Sequence, residues 1–152
     1  MMKKLALLLC LVASPALADF APPITDPLTK AACGECHMAF QPAFLPARSW
    51  DKMMANLADH FGDNATLAPD KAAHIRKVLA ESAADGPQGG RMGHKILSRL
   101  RADETPLRIT ETAAFLRKHR LPESEWKRPD VVTKSNCVAC HKTAEKGIYE
   151  DD

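Results

Sequence analysis

Aromatic side chains make up only 5% of this 152-residue chain. Two tryptophans, one tyrosine and five phenylalanines are a thin supply for a core of that size, because such rings bring much of the area a core buries. Cysteine is scarce too. Of five cysteines, Cys10 falls in an N-terminal leader and the other four sit in two short motifs, so none remains for a separate disulfide framework. Beyond the leader no segment is apolar and long enough to be transmembrane. An excess of one charge is also missing. The formal charge is +2, and Lys3 and Lys4 depart with the leader, leaving about zero. Nothing in that balance points to a nucleic-acid binder or a strongly basic membrane surface. Finally, no stretch alternates apolar and polar residues as a half-buried strand does. The expected fold class is all-α, with little or no strand.

The leader itself is legible. Lys3 and Lys4 form a basic region, Leu5 to Val12 an apolar one, and Ala16-Leu17-Ala18 a small-x-small cleavage site. The apolar run is too short to span a bilayer. Leu8 and Leu9 are poor neighbours for a lipidated Cys10. Residues 1–18 therefore read as a signal peptide cleaved after Ala18, and the expected compartment is the periplasm.

What is present is a pair of Cys-x-x-Cys-His motifs: Cys33-Gly34-Glu35-Cys36-His37 and Cys137-Val138-Ala139-Cys140-His141. That spacing is the signature of covalent c-type haem attachment. Two thiols add across the vinyl groups of the ring, and the adjacent histidine binds the iron from one side. If each motif is helical, its two cysteines and histidine lie at i, i+3 and i+4 and face one ring. Two covalently attached haems c are the expected cofactors, on Cys33, Cys36, Cys137 and Cys140. Both apolar discs would make up for the thin aromatic content. A zinc site built from both thiol pairs, or a thiol-redox module, would leave the histidine after each pair unexplained.

The chain after the leader is long enough for one domain or two small lobes packed together. At a radius of gyration of roughly 14 Å, two haems inside it cannot be far apart. Asp26-Pro27 resembles an N-cap and first helical position for a helix bearing the first motif. Trp50, Met53, Met54, Leu57, His60 and Phe61 recur at helical spacing over about 47–61. Pro69 opens another helix, with Ala72, Ile75 and Leu79 on one face. The glycine-rich stretch 86–93 reads as a linker between an N-terminal haem lobe, 19–85, and a C-terminal one, 94–152. Ile96, Leu97 and Leu100 imply a short helix beyond it. Thr110 is placed to cap a helix ending near His119, and Asn136 to cap a last helix that bears the second motif and stops at Gly147.

The second axial position of each iron decides whether a haem carries electrons or binds small molecules. His60 shares a face with Trp50, Met53 and Leu57 and is the candidate for the first haem. A histidine near a helix C-terminus is otherwise favoured by the dipole alone. His119 is the candidate for the second haem. Its neighbours Arg117, Lys118 and Arg120 leave it open, on local sequence, between a ligand and a solvated basic turn. His74 and His94 suit surface or propionate-contacting roles, and Met53 and Met54 suit core filling. Arg48, Arg108, Arg117 and Arg128 are candidates to pair with propionates, though each is more simply a surface charge.

Several ordered blocks of the chain resemble the small bacterial dihaem cytochrome c family. They are Cys33 to Ala39, Leu45 to Trp50, Leu57 to Gly62, Pro106 to Thr112, Phe115, Arg117 to Arg120, and Trp126 to Pro129 leading into the second motif. The resemblance implies a periplasmic electron carrier, not an enzyme, with two bis-histidine haems. It implies His37 and His141 as proximal ligands and His60 and His119 as distal ones. By the same analogy the partners are an oxygen-binding mono-haem cytochrome c and a membrane b-type cytochrome as electron source. A monomer is expected. The rival reading is a haem enzyme or gas-binding protein with one five-coordinate iron.

Overall fold

Asp26 starts the first helix by accepting from the Thr29 amide at 2.7 Å and from its hydroxyl at 2.6 Å. These bonds, with Pro27 behind the cap, set helix α1, Pro27–Cys33. The computed structural model describes residues 19–149, so the expected signal peptide lies outside the described residues. Helix α1 stops at Cys33, and the rest of the first motif is a turn. Gly34 makes that stop: a Cβ there would sit 2.7 Å from the Lys30 carbonyl.

Helix α2, Ala47–Met54, follows Pro46. Its buried Trp50 donates through Nε1 to the Pro42 carbonyl at 2.8 Å. The helical spacing over 47–61 does not yield one helix. The chain breaks at Asn56 (φ −136°, ψ 53°) and continues as a 3-10 turn, Leu57–Asp59. His60 then exchanges backbone hydrogen bonds with Asp63 at 2.7 and 3.2 Å. Helix α3, Pro69–Ser82, buries Ile75 and Leu79 against α2. Helix α4, Gly90–Leu97, buries Met92, Gly93 and Ile96.

The glycine-rich stretch read as a linker is helical from Gly90 onward. Gly93 lets α4 approach Ala84: a Cβ would lie 2.9 Å from the Ala84 Cα. Only Gly lets the backbones pass this closely. One core cluster joins Ala21, Ala43, Ala84, Met92 and Ile96, with Phe44, Ala114 and Tyr149 packed on it. A second joins Leu45, Trp50, Ile75, Leu79 and Ala83, with Met53 and Met54 as the expected fillers. The first cluster draws residues from both sides of the 86–93 stretch.

The later half is built from short pieces. A 3-10 turn, Ile109–Glu111, precedes helix α5, Ala113–Lys118. Its cap is Thr112, two residues later than expected, whose hydroxyl accepts from the Phe115 amide at 3.2 Å. Helix α6, Glu123–Trp126, follows Pro122. The last expected helix is instead two 3-10 turns, Cys137–Ala139 and Ala144–Lys146, ended by left-handed Gly147 (φ 76°). Two minimal strands, β1 (Asp19–Phe20) and β2 (Ile148–Tyr149), pair antiparallel, Asp19 opposite Tyr149 and Phe20 opposite Ile148. The fold is mostly helical with this one small sheet. Among the described residues, no helix is long and apolar enough to cross a membrane.

Candidate haem-binding sites

At the first motif, the turn after α1 exposes Cys36 and His37. His37 Nδ1 lies 2.7 Å from the Met38 carbonyl. A carbonyl can only accept, so Nδ1 carries the proton and Nε2 keeps its lone pair for a metal. Across from it stands His60, with ring centroids 6.2 Å apart and planes at 24°. Burial first, then the neighbouring His37 and Arg108, holds His60 below the ordinary imidazole value, against the opposing pull of Asp63. The neutral ring thus favoured is the form a metal binds. Phe61 adopts φ 59° directly after His60 and carries the Arg108 guanidinium 4.0 Å above its ring.

The second motif borders a cavity of about 370 Å³. Its walls include Phe44, Ile96, Phe115, Trp126, Cys137, Cys140 and Tyr149, with His119 and His141 among them. His119 Nδ1 lies 3.0 Å from the Phe115 carbonyl, which again puts the proton on Nδ1. The Phe115 ring stacks on the same imidazole, centroids 3.9 Å apart. His119 and His141 stand 6.1 Å apart with planes at 87°. Tyr149 closes the cavity beside His141, at 5.4 Å.

Both histidine pairs therefore have nearly the same separation. Two metal–imidazole bonds of about 2 Å each, plus half the width of two rings, come to about 6 Å. The centroid separations of 6.2 and 6.1 Å match that span. Among the described residues no three His, Cys, Asp or Glu side chains gather as a metal site. A protein-only zinc centre needs four such ligands, whereas a porphyrin brings its own nitrogens and asks the chain for two. Burial raises the Cys33 thiol and pushes Cys137 up to about 11, opposite to what a reactive dithiol requires. The four motif cysteines are free of disulfides. The donor set, spacing and apolar cavity fit haem.

Residues 29–149 match the family model described as dihaem cytochrome c. The chain belongs to the dihaem cytochrome c family. It is similar to a diheme cytochrome c from Rhodobacter sphaeroides at 41% identity, covering 85% of this chain and 100% of that one, with a TM-score of 0.76. It is also similar to DHC purified from Rhodobacter sphaeroides, at 38% identity, 84% and 99% coverage and a TM-score of 0.70. A third likeness is to the diheme cytochrome type c of Shewanella baltica OS155, at 38% identity, 82% and 86% coverage and a TM-score of 0.66. No curated protein matches the chain. As a dihaem cytochrome c it has two c-type haems as cofactors.

Other sequence candidates take different places in this dihaem cytochrome. His74 pairs with Asp26 at 3.0 Å on the surface. Arg48 donates to the carbonyls of Glu104 and Arg101, at 2.7 and 3.2 Å. Arg128 is held by Glu125 and Asp130. Three residues escaped sequence reasoning. Phe40 stacks on His37, centroids 4.8 Å apart, and also lines the second cavity, so it stands between the two sites. Tyr149 donates to Gln41 Oε1, and Gln41 Nε2 donates to the Ala144 carbonyl at 2.8 Å. Their only sequence signal was proximity to a motif. Glu145, four residues after His141, lines a pocket with His37, so the two motifs are neighbours in space.

Proposed function

We propose that this protein is a periplasmic electron carrier whose two haems are each held by a pair of imidazoles. His37 and His60 hold the first iron, and His119 and His141 the second. Cys33 and Cys36, and Cys137 and Cys140, attach the two rings. When bound, each haem supplies a one-electron ferric/ferrous couple. The chain's part is to keep both axial positions filled and to bury the ring. A site with fixed ligands on both sides needs little rearrangement when its charge changes. The reading is carried by one observation: two histidine pairs, from four separate segments, stand at 6.2 and 6.1 Å. The periplasmic location follows from the leader. The partners, an oxygen-binding mono-haem cytochrome c and a membrane b-type cytochrome, are proposed from the family resemblance, and a monomer is proposed beside them.

Low-temperature EPR of the ferric protein tests this reading. Two low-spin signals are expected, and they should differ in anisotropy because one imidazole pair is near parallel, at 24°, and the other perpendicular, at 87°. Ferrous protein should change its spectrum little under carbon monoxide. A stoichiometric high-spin signal, or a strong carbon monoxide shift, overturns the carrier reading in favour of an open, five-coordinate haem.

A further inference from the structure

The near-neutral chain hides a separation of charge. Residues 19–85 hold six Lys and Arg against nine Asp and Glu, while residues 86–152 hold thirteen against ten. The two halves thus carry −3 and +3. At the first motif, exposed Glu35, Asp59 and Asp63 make no ion pair among the described residues, and Glu145 lines the same pocket as Lys30 and His37. The nearby cation Arg108 is paired with Glu111 at 3.6 Å.

The second motif has the opposite surroundings. Exposed Arg117 and Arg120 flank His119, Lys142 follows His141, and Lys134 lines the cavity. Among the described residues these four cations make no ion pair. Among the described residues, four acids on this side are already paired: Glu123 with Lys127, Glu125 and Asp130 with Arg128, and Asp19 with Lys95 and Lys118. Exposed apolar residues lie among the cations. Leu116 is 56% exposed, Leu121 44% and Val132 78%. Val132 also holds φ 61°, an outlying backbone state for a β-branched residue. Strain of this kind persists where the surroundings enforce it, and it concentrates at functional surfaces.

We infer that this basic, apolar-studded face around the second motif docks a one-electron redox protein with an acidic face, and that the first motif's face repels it. Opposed charge steers encounter and orients the pair. The exposed leucines and Val132 supply the area that a short-lived contact can dry. The inference rests on the electron-carrier reading.

The test uses ¹⁵N-labelled holoprotein and two redox-inert paramagnetic probes, hexacyanochromate(III) and hexaamminechromium(III). The anion should broaden amides of residues 117–121, 132–135 and 140–142 and spare 34–38 and 59–63; the cation should do the reverse. The contrast should be clear at about 0.01 M salt, where fields reach about 30 Å, and gone near 1 M. Acidic flavodoxin should shift the amides that the anion broadens. The pair Arg120→Gln and Lys142→Gln, both outside the cavity lining, should weaken flavodoxin binding about threefold to tenfold, with unchanged haem spectra. Val132→Gly should hold or raise the melting temperature, since glycine fits φ 61°, yet lower flavodoxin affinity. Equal broadening by both probes, or flavodoxin shifts at the first motif, overturns the inference. Normal haem content and EPR in that same sample would leave the carrier reading standing, whereas a missing haem would fail the carrier reading itself.

Discussion

His37 and His119 spend their Nδ1 protons on backbone carbonyls, of Met38 and Phe115. If His119 holds the second iron, His119→Ala should turn that haem alone high-spin and able to bind carbon monoxide, while His60→Ala should do so for the first alone. Absorbance and EPR would read both, and unchanged spectra would remove that residue as a ligand. Asp26 gives a pH effect away from the haems. Its carboxyl is held down to about 2, from an ordinary 3.8, by the Thr29 hydroxyl and amide and then by His74. The folded form is therefore favoured above 3.8, and that contribution fades as pH falls from 3.8 toward 2. Asp26→Asn should flatten the pH dependence of the melting temperature across that window. At this scale the motif cysteines and histidines were legible, because their spacing is local. His119 was not settled by its neighbours, since a basic final turn looks alike whether solvated or buried against a ring. Phe40 and Gln41 were invisible because their roles come from contacts distant in sequence.

The helices are shorter than the periodicity implied, and each stop has a cause. Gly34 ends α1 where a side chain would strike the Lys30 carbonyl. Asn56 breaks the 47–61 pattern so that His60 can leave the axis of α2 and meet His37. Apolar spacing records which side chains face inward, not whether the backbone between them stays helical. The core positions were better read: Ile75 and Leu79 are buried on α3 as expected. Leu45, fully buried between α2 and α3, should cost about 2–5 kcal/mol as Leu45→Ala, measured by denaturant titration of the holoprotein. Gly147 carries the opposite lesson. It was expected only as a helix stop, yet a Cβ there would stand 1.8 Å from the Ala21 carbonyl. Gly147→Ala should lose roughly 1–2 kcal/mol for the left-handed backbone and also part the two strands. Hydrogen exchange at the Ala21 amide, bonded to the Gly147 carbonyl at 2.8 Å, would report it.

Across the whole molecule, the all-α class followed from missing strand alternation, and the need for added apolar bodies from missing aromatics. The protein's own core is two modest clusters, and the second motif borders a cavity rather than a packed wall. Haem-free protein should accordingly show no cooperative thermal transition by circular dichroism, whereas the holoprotein should melt sharply. A cooperative melt of the haem-free chain would show that these clusters suffice. The pairing of Asp19 with Tyr149 and of Ala21 with Gly147 also dictates an order of assembly. A chain emerging from its N-terminus must wait for residues 147–149 before that latch can shut. Until then both thiol pairs stay on an open polypeptide, and the second cavity lacks the wall that Tyr149 gives it.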